Sequence, residues 1–214
     1  NQLQQADHDK QIASQLAEAK LQNELQKTAT TKDTEIQRLK AKLDATEEAR
    51  DWVRETVSYD AAYGGERITA YLYRPRTAAP PYQAVVYFPG GDAPLLRSSR
   101  DLRLMNVDFV IRGGRALLYP IYKGTYERSV PITGVNAYRD LTIARTRDVA
   151  RSVDYLLERR DIDHGRIGAY GVSLGAIIGT IFTGIDDRLR ASVLMGGGVG
   201  AQRGSPEIDP LNFA

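Results

Sequence analysis

The sequence predicts an α/β fold, in which a mostly parallel sheet has helices on both faces and follows a separate helical segment. Short apolar strands alternate with helical patterns after residue 52, as they do in parallel sheets. All 19 glycines and all 9 prolines lie after residue 50, whereas six of the seven lysines lie before residue 43. We therefore expect residues 1–51 to be a helical linker or a weak coiled coil, and residues 52–214 to be the α/β domain.

The composition excludes several classes of functional site. The 214 residues carry a net charge of +2, which gives no electrostatic footprint for nucleic acid. Cysteine is absent and only two histidines occur, so disulfides, thiolate metal sites and polyhistidine metal centres are ruled out. We therefore expect no metal and no nucleic-acid partner.

The start of the chain and its apolar runs predict neither a signal peptide nor a membrane span. The longest apolar run, near Ala176 to Ile185, is too short to cross a bilayer. The chain opens NQLQQADHDK rather than with Met, so we expect a piece of a longer polypeptide. The sequence does not fix the compartment, and a soluble, cytoplasmic protein is favoured.

Residues 1–50 are rich in Gln, Ala, Glu, Lys and Leu, which favour helix. Their apolar residues form a narrow stripe at roughly helical spacing: Ile12, Leu16, Leu21, Leu25, Ile36, Leu39 and Leu43. The spacing slips twice, which favours a solvated linker over a sustained coiled coil. The run TATTKD, residues 28–33, contains poorer helix formers and predicts a break into two helices.

After Trp52 the predicted elements alternate between strand and helix. Gly64-Gly65 marks the turn of an antiparallel hairpin between strands at 56–59 and 67–73. Apolar runs that end at Pro or Gly predict four further strands, at 84–88, 115–119, 166–170 and 191–195. Apolar residues at helical spacing predict helices at 137–159 and 174–182.

One motif carries chemistry: Gly171-Val172-Ser173-Leu174-Gly175 fits the pattern G-x-S-x-G. A predicted strand precedes it and a predicted helix follows it, which is the context of a nucleophile elbow. Ser173 is then the candidate nucleophile. Gly171 and Gly175 are expected because a side chain at either position would collide in so tight a turn. The alternative is an ordinary strand-to-helix turn with a capping serine.

The same motif predicts an oxyanion hole. The backbone N–H of Leu174 lies in the first turn of the helix, where the helix dipole adds partial positive charge. A second donor is expected from the loop after an earlier strand, here the N–H of Gly91 or Asp92. The alternative for that loop is a plain glycine turn.

The chain resembles the α/β-hydrolase superfamily, in particular its dienelactone-hydrolase and prolyl-oligopeptidase-like branch. The segments that carry the resemblance are YFPGG (87–91), LYPIYKGTYER (118–128), DIDHGRI (161–167), YGVSLGA (170–176) and DPLNFA (209–214). Most of them are also similar to hydrolase domains fused to bacterial serine/threonine protein kinases. The resemblance implies a Ser–Asp–His triad, a small-molecule ester or peptide-like substrate, no cofactor, and a covalently fused kinase domain as a partner. It does not indicate an oligomeric state.

The triad order Ser, Asp, His cannot be completed within this sequence. No histidine follows Ser173, and His164 lies at the other end of the preceding strand, roughly 20 Å away, as an expected turn residue. Asp186 and Asp187 precede the last predicted strand, so they lie at its wrong end. We therefore expect the N-terminal two-thirds of an α/β-hydrolase fold, inactive by itself, with the triad Asp and His outside the chain. The alternative function is a non-catalytic, hydrolase-like binding module within a larger signalling protein.

Three further sequence features give less specific predictions. Tyr119, Tyr122, Lys123 and Tyr126 follow a strand and predict either a pocket lining or a surface loop. The glycines at 196–200 do not fit a phosphate-binding pattern. The arginines of the helix at 137–159 alternate with acidic residues, which predicts a salt-bridged solvent face.

Overall fold

The computed structural model describes residues 15, 18–36, 50–102, 104 and 107–197. The backbone divides into two compact units, Asn1–Arg50 and Asp51–Ala214. Within the described residues, no helix is both long and apolar enough to cross a membrane.

The second unit is built on one mixed sheet, whose described strands are β1 Trp52–Asp60, β2 Arg67–Pro75, β3 Tyr82–Phe88, β4 Ala116–Pro120, β5 Ile162–Val172 and β6 Ala191–Met195. Their spatial order is β1-β2-β4-β3-β5-β6. β2 pairs antiparallel with β1 and β4, whereas β3 pairs parallel with β4 and β5, and β5 with β6. The predicted mostly parallel sheet and its N-terminal hairpin are confirmed.

Helices cover both faces of this sheet. The described helices are α1 at residues 18–36 in the first unit, and α2 Asp108–Arg112, α3 Ala137–Leu157 and α4 Leu174–Ile185 in the second. Apolar residues of α3 and α4 pack on one face of the sheet. Val110 and Ile111 of α2 pack on the other, together with several tyrosines. The sequence pattern did not reveal α2, because five residues are too few to show helical periodicity.

The hairpin turn between β1 and β2 contains the two glycines that predicted it. Gly64 and Gly65 have φ of 63° and 60°, in the left-handed region that glycine adopts at little cost. Two consecutive residues of this kind match the twist of an antiparallel hairpin.

The predicted break in the first helix is wrong. Residues 18–36 form one continuous helix through the threonine-rich run. Thr28, Thr30 and Thr31 each donate a side-chain hydrogen bond to the carbonyl oxygen four residues earlier, at 2.8 to 2.9 Å. These hydroxyls are therefore satisfied within the helix instead of competing with it. Leu21 and Leu25 of the apolar stripe are each 62% exposed, and the other half of the stripe lies largely outside the described residues.

An ion-pair network joins β1, β2, the end of α3 and the start of β5. Arg159 donates to both carboxylate oxygens of Asp161 at 2.7 Å and to Glu55 at 3.2 Å. Arg74 pairs with the same two acids. The hydrogen bonds from Arg159 lower the pKa of Asp161 below its ordinary value.

This lowered pKa predicts a pH-dependent loss of stability. The carboxylate of Asp161 stabilises the fold above its unfolded pKa of about 4, and the contribution disappears as pH falls through the lower folded pKa. Asp161→Asn should therefore lower the free energy of unfolding by about 1 kcal/mol at pH 7, with a smaller difference at pH 3. Urea unfolding at both pH values measures this. Asp163→Asn, which breaks an ion pair with the exposed Arg166, is the control and should cost less at pH 7.

Candidate active site

Ser173 lies between β5 and α4 in a strained conformation. Its φ is 51° and its ψ is −110°, and among the described non-glycine residues only Tyr126 also has positive φ. A side chain held in this region costs of order 1–3 kcal/mol and is most often found at functional sites. The residue is exposed, so its hydroxyl is accessible at the carboxyl end of β5.

Both predicted elbow glycines are required by close backbone approach. A Cβ at Gly171 would lie 2.6 Å from the carbonyl carbon of Gly175 and overlap its oxygen. A Cβ at Gly175 would overlap the carbonyl oxygen of Phe88 and lie 2.7 Å from its carbon. The first glycine thus lets the turn close, and the second lets α4 approach the end of β3.

The end of β6 fixes the serine from a third direction. The backbone N–H of Ser173 donates to the carbonyl oxygen of Met195 at 2.8 Å. Gly196 follows with φ of 68°, and a Cβ at Gly197 would lie 2.9 Å from the amide nitrogen of Ile177. Gly196 is therefore explained by its left-handed backbone conformation, and Gly197 by its close packing against the start of α4.

The loop after β3 reaches the serine, as the prediction of a second oxyanion donor requires. A Cβ at Gly90 would lie 3.7 Å from the Cβ of Ser173, whereas one at Gly91 would meet nothing within 4 Å. Among the described residues, none accepts a hydrogen bond from the N–H of Leu174, Gly91 or Asp92. These three donors are thus unpaired near the serine, and their role as an oxyanion hole stays a prediction.

Solved structures of hydrolases share this architecture. Prolyl oligopeptidase B from Galerina marginata matches with a TM-score of 0.54 and 17% identity over 71% of this chain and 21% of its own. The α/β hydrolase GrgF from Penicillium sp. sh18 matches with a TM-score of 0.55 and 13% identity over 70% of this chain and 47% of its own. The glucuronoyl esterase from Solibacter usitatus gives a TM-score of 0.50 and 18% identity over 70% of this chain and 50% of its own.

The chain has the α/β-hydrolase fold. This confirms the fold class that the sequence predicted. The chain spans between about a fifth and a half of the length of these three proteins. No protein-family model matches the chain, and no curated protein sequence resembles it significantly.

No histidine that could act as a general base lies near Ser173 among the described residues. His164 belongs to β5 rather than to the expected turn, near the end of the strand opposite Ser173, and its Nε2 lies 2.9 Å from the carbonyl oxygen of Arg159. Asp186 caps the C-terminal end of α4 and accepts hydrogen bonds from Arg188. Asp209 lies outside the described residues. Within those residues, no group of three His, Asp or Glu could hold a metal ion.

The tyrosines after β4 are neither a pocket lining nor a surface loop. Tyr119, Tyr122 and Tyr126 are at most 4% exposed. The hydroxyl groups of Tyr119 and Tyr126 lie 2.8 Å apart, and the hydroxyl of Tyr122 donates to the carbonyl oxygen of Tyr87 at 2.9 Å. Burial raises the pKa of all three phenols. Tyr119 and Tyr126 belong to the core on the α2 face of the sheet and Tyr122 to the core on the face covered by α3 and α4, and each hydroxyl has a partner.

Part of the charged face predicted for α3 is buried. Asp148 is 0% exposed and Arg145 is 2% exposed. Asp148 accepts hydrogen bonds from Arg128 at 2.6 Å, from the Tyr63 hydroxyl at 2.7 Å and from the Lys123 amide at 2.9 Å. Burial raises the pKa of Asp148, against the opposing effect of Arg128. This carboxylate joins the hairpin turn and the loop after β4 to α3.

Proposed function

We propose that the chain provides the nucleophile of a serine hydrolase that acts on carboxylic esters or peptide-like acyl bonds. The observation that carries the proposal is the conformation of Ser173. The residue is exposed and strained, its N–H donates to the end of β6, and Gly175 in the following turn lies against the end of β3. The unpaired N–H groups of Leu174 and the loop after β3 support the same function, since backbone donors stabilise the oxyanion of acyl transfer.

The mechanism we propose proceeds through an acyl-enzyme. The Oγ of Ser173 attacks the acyl carbon while a histidine removes its proton, and the carbonyl oxygen becomes an oxyanion bound by Leu174 N–H and by Gly91 or Asp92 N–H. Collapse of this intermediate expels the alcohol or amine, which takes the proton from the histidine. Water then hydrolyses the acyl-enzyme. The histidine and its orienting aspartate belong, in this proposal, to a segment of the full-length protein outside this chain.

The second candidate is a hydrolase-like binding module that does not turn over its ligand. The lack of a histidine near Ser173 within the described residues favours it. In the full-length protein the two candidates differ in one respect, which is whether Ser173 is activated. A fused kinase domain and a domain boundary between residues 51 and 52 remain proposals that are compatible with both.

Labelling with a fluorophosphonate probe tests the activation of Ser173. The full-length protein should be labelled within minutes and should hydrolyse p-nitrophenyl acetate, because an activated serine attacks phosphorus as it attacks carbon. Ser173→Ala should abolish both signals. Ser192→Ala, which changes an exposed serine on β6, should retain both.

Chain 1–214 by itself should react with neither reagent, because it lacks the base. If the full-length protein is folded but Ser173 is not labelled, the serine-hydrolase proposal is wrong and the binding module is supported. Turnover by chain 1–214 that depends on Ser173 would show that the base lies within this chain.

A further inference from the structure

We propose that the side chain of Asp92 selects substrates that carry a positive charge close to the reacting acyl group. This inference rests on the proposed function of Ser173. It concerns the carboxylate of Asp92, and is separate from the role of the backbone N–H in the oxyanion hole.

The geometry places this carboxylate beside the nucleophile. The position of a Cβ on Gly90 lies 3.2 Å from Oδ1 of Asp92 and 3.7 Å from the Cβ of Ser173. Oδ1 of Asp92 and the Cβ of Ser173 therefore lie beside the same small volume. The distance between these two atoms cannot exceed the sum of the two distances. Gly90 leaves this volume empty, because it has no side chain to separate them.

The negative charge of Asp92 also affects the pKa of three tyrosines in the core. Burial is the main cause of the raised pKa of Tyr87, Tyr119 and Tyr126, and the negative charge of Asp92 raises each of them further. The carboxylate should likewise disfavour a substrate whose acyl or leaving group is anionic.

No cation neutralises Asp92 among the described residues. Arg97 and Arg100 follow in the same loop, and neither lies within ion-pair distance of it. The cations of the loop after β4 are already paired, Lys123 with Glu66 and Arg128 with Asp148. The charge of Asp92 is exposed and open to a ligand.

The size of the expected selectivity follows from Coulomb's law. Opposite charges about 7 Å apart near a protein surface attract enough to change an equilibrium or a rate by roughly 3- to 10-fold at physiological salt. We therefore expect a cationic ester to react about 3- to 10-fold faster, in kcat/KM, than an uncharged ester of the same shape.

Two thioesters of matched shape test this with the full-length protein: acetylthiocholine and S-(3,3-dimethylbutyl) thioacetate, which differ in a quaternary nitrogen and a quaternary carbon. The measured quantity is the ratio of their kcat/KM values, so that any effect common to both esters cancels. The quaternary nitrogen also makes the thiol a better leaving group, so the informative quantity is the change in this ratio on mutation. Asp92→Asn should lower the ratio by about 3- to 10-fold. The control is Asp187→Asn, which changes an exposed acid that precedes β6. Asp187 therefore lies toward the amino end of β6, whereas Ser173 follows the carboxyl end of the parallel strand β5. This variant should leave the ratio at its wild-type value.

A binding measurement keeps the inference testable without turnover. Choline should shift the backbone amide resonances of Gly90 and Gly91 at lower concentration than 3,3-dimethylbutanol does, and Asp92→Asn should remove the difference. A ratio that Asp92→Asn leaves unchanged, together with equal binding of both alcohols, would overturn the inference and leave the proposed function standing. Preferential binding of choline with no turnover at Ser173 would support the charge selection and overturn the proposed function.

Discussion

Replacing Gly175 with alanine is expected to lower the free energy of unfolding of the domain by about 3 kcal/mol or more. The added Cβ would overlap the carbonyl oxygen of Phe88, and it would also lie 2.9 Å from the carbonyl oxygen of Pro89. Both atoms belong to backbone, so no side-chain rotation can relieve the contact. The start of α4 must instead move away from the end of β3, which would also displace Ser173.

Urea unfolding of Gly175→Ala beside Gly91→Ala measures this effect. Gly91 is exposed on the neighbouring loop, and a Cβ there would meet nothing within 4 Å. The control should therefore change the free energy of unfolding by less than about 1 kcal/mol. If the two variants have equal stability, the close packing of α4 against the end of β3 is not present in solution.

Replacing Asp148 with asparagine is expected to cost about 3–5 kcal/mol, because it leaves Arg128 partly buried without its main counter-charge. The exposed fraction of the side chain is 0% for Asp148 and 12% for Arg128. Asparagine keeps the shape of the carboxylate but removes its charge. The loss should therefore be electrostatic, with only a small effect on packing.

Thermal and urea unfolding of Asp148→Asn should be compared with Asp60→Asn. Asp60 forms an ion pair with Arg67 in which the side chains are 74% and 58% exposed. Pairs of this kind contribute about 0–1 kcal/mol, so the control should remain close to wild type. Similar losses in both variants would contradict the role assigned to the buried carboxylate.

The features that the sequence predicted well are those fixed by local pattern. Apolar runs that end at Pro or Gly predicted β3 and β4. The pattern G-x-S-x-G predicted the turn around Ser173, because its two glycines are required by backbone atoms within a few ångströms. The hairpin followed from Gly64-Gly65 for the same reason. In each case the residue type reports a local backbone requirement.

The features that the sequence missed depend on partners distant along the chain. In the sequence, Asp148 cannot be distinguished from other acids on an amphipathic helix. Its partners Tyr63 and Arg128 are distant along the chain and contact it only in the folded domain. The tyrosines after β4 likewise find their partners on β3 and in the loop itself. The predicted helix break failed because threonine hydroxyls can bond within a helix as well as terminate one.

The hydrogen bond from Ser173 to Met195 also bears on when the strained turn at Ser173 forms during synthesis. The serine needs β6 for this bond and the end of β3 for the approach of α4. Parallel strands pair through contacts that are remote in sequence, so they form slowly and late in folding. A chain emerging from the ribosome would therefore hold Ser173 in an unstrained conformation until β6 has been made and has docked beside β5.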